Sequence, residues 1–233
     1  MFLKRFQLKG LPHENAKIVR ITEEELKTRS ASGATVVDVR LGIQFSEGHF
    51  PGSLNIGLAS RMFATCAGVF LTKQSQILLV VEKSEDAAKA RAELVRAGFE
   101  GVVGFIEAAE LTELHQLTQL SVFDLNSTLS RGGKPAILDV RSAGEWRSSG
   151  IAGSINIPLT QLAARFLELS ISHPLVVVCQ NGYQSTMASS WLQANGFDSV
   201  HHLLGGMDAY TGVSYQCVEA SRFSAFQPGS SPC

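Results

Sequence analysis

The chain carries one pattern twice, and this duplication constrains its fold more than any other feature. Thr35-Val-Val-Asp38-Val-Arg40, followed by Gly48-His-Phe-Pro51-Gly52-Ser-Leu-Asn55-Ile-Gly-Leu58, returns 101 residues later as Ala136-Ile-Leu-Asp139-Val-Arg141 and Gly150-Ile-Ala-Gly153-Ser-Ile-Asn156-Ile-Pro-Leu159. Leu94-Val-Arg-Ala-Gly98-Phe99 recurs 98 residues on as Leu192-Gln-Ala-Asn-Gly196-Phe197. A period this long exceeds that of solenoid repeats and predicts two whole domains of similar fold. The expected divisions are 15–110, 115–213 and a loose tail, 214–233, that contains Pro228-Gly229-Ser230-Ser231-Pro232. Each unit scans as a helix (22–29; 121–130), a strand ending at Asp-Val-Arg, a loop and short strand, then helix, strand, turn, helix, strand. Strands alternating with helical stretches predict an α/β fold, each domain a mostly parallel sheet flanked by helices on both faces.

Within that frame the most informative residue is Cys179. It follows the apolar run Leu175-Val176-Val177-Val178 and opens the turn Gln180-Asn181-Gly182-Tyr183-Gln184; a helix is expected over 185–194. A thiol therefore falls at the carboxyl end of a buried strand, where ligands bind in parallel sheets. Backbone N–H groups of the turn and first helical turn would face the sulfur, favour thiolate and hold an anionic adduct. Gly182 lets the turn take a conformation other residues resist. The alternative is a buried structural cysteine, since free cysteine is often buried, but an inert core thiol has no need of a strand–turn–helix setting.

Composition leaves room for such a site and excludes several classes. With 45% apolar residues and a net charge of −1, the chain fits an ordinary soluble protein rather than a disordered or nucleic-acid-binding one. Residues 1–9 are charged throughout and lack the apolar core of a secretory signal, and no run is long enough to cross a membrane. Cys66, Cys179, Cys217 and Cys233 are scattered without a CxxC pair, which argues against a metal cage or disulfide framework. A reducing cytoplasm is the natural setting; no metal or cofactor is expected.

Together Asp-Val-Arg, the GHxPGSxNI-type segment and a cysteine loop with glycine at its fourth position resemble the rhodanese domain of sulfurtransferases. The resemblance covers residues 18–213, both halves sharing the first two features. The cysteine loop and Leu204-Gly205-Gly206-Met207-Asp208-Ala209-Tyr210 look most like tandem rhodanese units fused elsewhere to metallo-β-lactamase-fold proteins of the persulfide dioxygenase type. This chain has no HxHxDH-like motif, so a separate metallo-hydrolase or other sulfur-handling protein is an implied partner. The resemblance implies transfer through a Cys179 persulfide, from thiosulfate or glutathione persulfide to a thiol, sulfite or cyanide. It makes Cys179 the nucleophile and Gln180, Asn181, Gly182, Tyr183, Gln184 and Ser185 the substrate cradle. The six-residue loop is the length tied to sulfur transfer; related dual-specificity phosphatases have one residue more.

One position departs from the family. Its sixth loop residue, usually arginine, is Gln184, and no Lys or Arg occurs between Arg165 and Arg222. A carboxamide offers dipoles where guanidinium offers charge and paired donors. Losing such a contact removes about 1.5–3 kcal/mol of anion binding, roughly ten- to a hundredfold. Any cation must come from Arg141, Arg147 or the first domain, and a persulfide or protein-bound donor is favoured over thiosulfate.

In the first half Val81 stands opposite Cys179, and Glu82-Lys83-Ser84-Glu85-Asp86 opposite the cysteine loop. Valine is no nucleophile, and three carboxylates repel an anionic donor. Gly205-Gly206 is replaced there by Glu107-Ala108. This half reads as a scaffold, and Cys66 as a packed core thiol. Asp38/Arg40 and Asp139/Arg141 occur in both halves and are expected to brace each fold. Of His201-His202, alternation turns only one inward; Trp146 and Trp191 are packing residues. Three functions follow: a sulfurtransferase, a noncatalytic sulfur carrier or partner-binding module, and a phosphatase or arsenate reductase, the last normally needing the missing arginine.

Overall fold

The computed structural model describes residues 18–170 and 173–212. The predicted tail, with Cys217, Arg222 and Cys233, and the segment 1–9 lie outside them. The first half comprises α1 (Glu23–Ala31), β1 (Thr35–Asp38), α2 (Gly42–Glu47), β2 (Leu54–Asn55), α3 (Phe63–Phe70), β3 (Ile77–Val81), α4 (Ser84–Arg96) and β4 (Val102–Glu107). The second comprises β5 (Thr118–Leu120), α5 (Val122–Ser130), β6 (Ala136–Asp139), α6 (Ala143–Ser149), β7 (Ile155–Asn156), α7 (Leu162–Arg165), β8 (Leu175–Val178), α8 (Tyr183–Ala194) and β9 (Val200–Leu203). Residues 206–212 are again helical.

The strands form two parallel sheets, ordered β2-β1-β3-β4 and β5-β9-β8-β6-β7. β3 and β8, central in their sheets, are apolar and buried throughout, as strands covered on both faces must be. Helix starts carry their own signals. Thr22 caps α1 with Glu25 reaching back, Ser142 and Glu145 do the same for α6, and Ser121 caps α5. In the second sheet one face is sealed by Val122 and Leu125 of α5 against Ile137, Val176, Val178 and Leu203. Val177, His202 and Gln119 share a register row on the opposite face.

The chain forms two compact units, one running to Leu41 and resuming over Ile56–Glu113, the other made of Gly42–Asn55 with the chain from Leu114 onward. The segment 42–55 thus packs with the second half, against the small and hydroxylated side chains of α8. Asn55 N–H donates to Ser190 Oγ at 2.9 Å, and Ser46 Oγ lies 3.4 Å from His202 Nε2. His49 and His115 exchange backbone hydrogen bonds, and a side chain on Gly42 would press on Thr186 Oγ1 at 3.0 Å. This cover explains why Ser185, Thr186, Ser189 and Ser190 are all buried. Cys66 is buried on α3. Trp146 donates to Ser154 Oγ at 2.9 Å, and Trp191 meets Phe166 edge-on.

Candidate functional site

A parallel strand must end in a turn that sends the chain back over the sheet, and β8 ends directly before Cys179. Gly182 adopts φ +96°, a left-handed conformation open to glycine, and caps α8. The helix therefore begins at Tyr183, two residues earlier than the composition of its Ala/Ser/Leu stretch suggests, because the glycine turn itself supplies the cap. Asn181 Oδ1 supports the turn by accepting from Tyr183 N–H at 3.2 Å.

The thiol of Cys179 sits at the hinge of this turn, fully buried. Gly182 N–H donates to Sγ at 3.1 Å. The thiol donates to Ser185 Oγ at 3.4 Å, and that hydroxyl donates on to the Gly182 carbonyl at 3.1 Å. A negative charge forming on sulfur would meet an N–H already aimed at it and the amino end of a 12-residue helix. Behind the loop, Met207 N–H and Asp208 N–H bond the carbonyls of Cys179 and Gln180 at 2.8 and 2.9 Å. Gly206, at φ +58°, makes this approach possible: a Cβ there would lie 2.3 Å from the Cys179 carbonyl oxygen.

The predicted cradle residues divide by place. Gly182 and Ser185 touch the sulfur; Asn181 and Gln180 are exposed on the turn; Tyr183 and Gln184 are half-buried in the first turn of α8. The Gln184 carboxamide makes no hydrogen bond among the described residues. Arg141 is buried and grips Asp139 through Nε and Nη2 (3.1 and 2.7 Å), as Arg40 grips Asp38 in the first half. Burial raises the Asp38 carboxyl pKa against the pull of Arg40. Arg147 is exposed and forms no ion pair among the described residues. Asn156, which the motif places but sequence reasoning gave no role, ties the Asp139 and Arg141 carbonyls through Nδ2 at 2.9 Å each. Its recurrence as Asn55 was the available signal. Asp208 was also given no role, although the Leu204–Tyr210 segment that holds it carries part of the family resemblance.

His202 is buried and His201 half-exposed, as alternation requires; burial pushes the His202 pKa down to about 4. No group of three or more His, Cys, Asp or Glu among the described residues is placed to hold a metal, and none of their helices is long and apolar enough to cross a membrane.

A thiol cradled at the carboxyl end of a parallel strand, in a domain present twice, defines an α/β cysteine-loop protein. The rhodanese-like domain model matches residues 22–108 and 124–212, and the chain belongs to that family. Among its relatives, the uncharacterized protein YqhL of Bacillus subtilis is 35% identical over 79 residues, 34% of this chain and 63% of YqhL. The thiosulfate sulfurtransferase GlpE of Shewanella oneidensis is 35% identical over 74 residues, 32% of this chain and 73% of GlpE. The crystal structure of a thiosulfate sulfurtransferase from Pseudomonas aeruginosa aligns over 84% of this chain and 43% of its own, at 18% identity and a TM-score of 0.37.

Proposed function

We propose that the protein is a sulfurtransferase working through a persulfide on Cys179. The observation that carries this reading is the Gly182 N–H held 3.1 Å from Sγ in the loop of the second rhodanese-like domain. Thiolate Sγ attacks the terminal sulfur of a donor R–S–SH; the new Sγ–S bond forms as the R–S bond breaks, and RS⁻ leaves with the electron pair. Sulfite, a thiol or cyanide then attacks that outer sulfur and releases the Cys179 thiolate. Sulfur is both a good nucleophile and a good leaving group, so one residue serves both steps. The N–H of Gly182 and the amino end of α8 favour negative charge on the sulfur in each. Asp139 and Arg141 support the fold beneath the loop.

The donor we favour is a low-molecular-weight persulfide such as glutathione persulfide. Arg141 is committed to Asp139, the chain from 166 to 212 has no Lys or Arg, and position 184 is a carboxamide, so the doubly charged thiosulfate finds no cation in this loop. The motif likeness to rhodanese pairs fused to persulfide dioxygenase-type proteins points to the same donor, and to a separate hydrolase as partner in the cytoplasm. The boundaries 15–110 and 115–213 are the two rhodanese-like domains of this proposal. The same lack of cation supports a second reading, a sulfur carrier that loads without turning over.

Steady-state assays with glutathione persulfide and sulfite separate the readings. Thiosulfate formation at many turnovers per Cys179 is expected. One equivalent or less would establish the carrier and exclude the enzyme.

A further inference from the structure

The Asp–Arg pair occurs in both halves, with and without a cysteine, so its presence alone belongs to the fold. What distinguishes the second half is the polar side chain that meets its arginine from the loop. In the second half Arg141 Nη1 donates to Gln180 Oε1 at 3.1 Å, while Gln180 Nε2 donates to Asp208 Oδ1. In the first half the residue in the place of Gln180 is Glu82, which makes no hydrogen bond or ion pair among the described residues.

We propose that Gln180 is a positioning residue: its carboxamide, fastened by Arg141 at one end and Asp208 at the other, holds the loop so that the Gly182 N–H meets the Cys179 sulfur. This rests on the reading of Cys179 as the sulfur-accepting nucleophile.

The geometry gives the strap its purpose. Gln180 is exposed, and an exposed turn residue ordinarily leaves its side chain free. Here one amide end is held by a guanidinium with 2% side-chain exposure, itself locked to a buried carboxylate. The other is held by the first turn of the helical segment 206–212, whose N–H groups also bond the carbonyls of residues 179 and 180. Residue 180 is therefore fixed through both its backbone and its side chain, midway between the strand end and Gly182. An amide suits this place, because it accepts from Arg141 and donates to Asp208. A carboxylate would accept from the first and repel the second. The strap also occupies the Arg141 donor that faces the loop, so Arg141 steadies the loop through Gln180 and does not bind donor directly.

Three variants and two readouts test this, in full-length protein with folding checked by urea unfolding. Gln180→Leu is expected to lower kcat with glutathione persulfide by about tenfold or more, as a small misplacement of reacting groups does, while KM changes by less than about twofold. Amide exchange at Gly182 should quicken, since its N–H loses its fixed acceptor. Gln180→Glu should fail similarly. Adding Asp208→Asn should restore kcat, because the introduced carboxylate can then accept from both Arg141 and the new amide. A Gln180→Leu protein with wild-type kcat and Gly182 exchange overturns the proposal, as does a double variant no better than Gln180→Glu. A wild type that takes up no sulfur would instead sink the reading of Cys179, with Gly182 exchange still deciding whether the strap holds the loop.

Discussion

The two central strands of this chain, β3 and β8, end in the same architectural place and do opposite things with it. After β8, the N–H of Gly182 is aimed at a thiol. After β3, the N–H and hydroxyl of Ser84, 98 residues earlier, are taken by the carboxylate of Glu107. That carboxylate stands where the second half has Gly205, and it also pairs with Arg20. The hydrogen bond from the Ser84 hydroxyl, helped by its N–H and by Arg20, holds the Glu107 pKa below the usual carboxylate range. Each half thus brings an electron-rich group to the amino end of a helix, as the helix favours. In the first half it is a carboxylate of the chain itself, which already takes the Ser84 N–H and hydroxyl. In the second it is the Cys179 sulfur, the nucleophile of the proposed reaction. On the proposed reading of Cys179, the first half differs by more than Val81 in the cysteine's place: its helix terminus is also met by a carboxylate of the chain itself.

The glycine pair behind the loop gives the sharpest way to break the comparison. Gly206→Val places side-chain atoms against the Cys179 and Gln180 carbonyls at a left-handed φ, and should cost at least about 2–3 kcal/mol of stability and abolish sulfur loading. Ala108, on the corresponding segment of the first half, already carries a Cβ; Ala108→Gly should leave loading unchanged. Intact-mass measurements and urea unfolding read both.

Acid should separate the halves next. His202 is neutral when folded, its pKa pushed from 6.5 down to about 4, so the unfolded chain takes up the proton first as pH falls. Stability from this group is therefore complete above about pH 6.5 and is lost progressively down to about pH 4, by about 3 kcal/mol in all. β4, the counterpart of β9 in the first sheet, has no histidine, so that strand contributes no such slope. Urea midpoints measured between pH 7 and 4.5 should fall more steeply for the wild type than for His202→Gln; equal slopes would contradict the assignment.

A smaller effect is expected at Glu107. Its lowered pKa means the stability it contributes is present above the ordinary carboxylate value and disappears as pH falls through the lower, folded one. Glu107→Gln should melt below the wild type at pH 7, with the difference shrinking as pH falls through the lowered Glu107 value. The smallest is Val81→Cys: with Glu107 on the Ser84 N–H, a thiol at the end of β3 should take up no sulfur beyond what Cys179 does. Uptake of a second sulfur would show that the valine alone silences the first half.

Much of this comparison was legible in the chain. The duplicated Asp-Val-Arg and Gly-Ser-x-Asn blocks foretold two similar α/β domains, and a thiol between a β-branched run and a glycine turn foretold the cradle, because local backbone chemistry decides both. Contacts remote in sequence were not legible. The packing of 42–55 on α8 depends on hydroxyls such as Ser190, which read locally as indifferent helix residues. The Gln180–Asp208 bond depends on how the cysteine loop meets the first turn of the helical segment 206–212. The roles of Glu107 and Asn156 were hidden for the same reason: each acts through the backbone of a segment it does not adjoin.

The most direct test is intact-mass spectrometry of wild type and Cys179→Ser after brief exposure to glutathione persulfide and, separately, thiosulfate. The account predicts a gain of one sulfur on the wild type, greater from glutathione persulfide, and none on Cys179→Ser. A wild type that takes up no sulfur from either donor, or a Cys179→Ser protein that loads as well as the wild type, would contradict it.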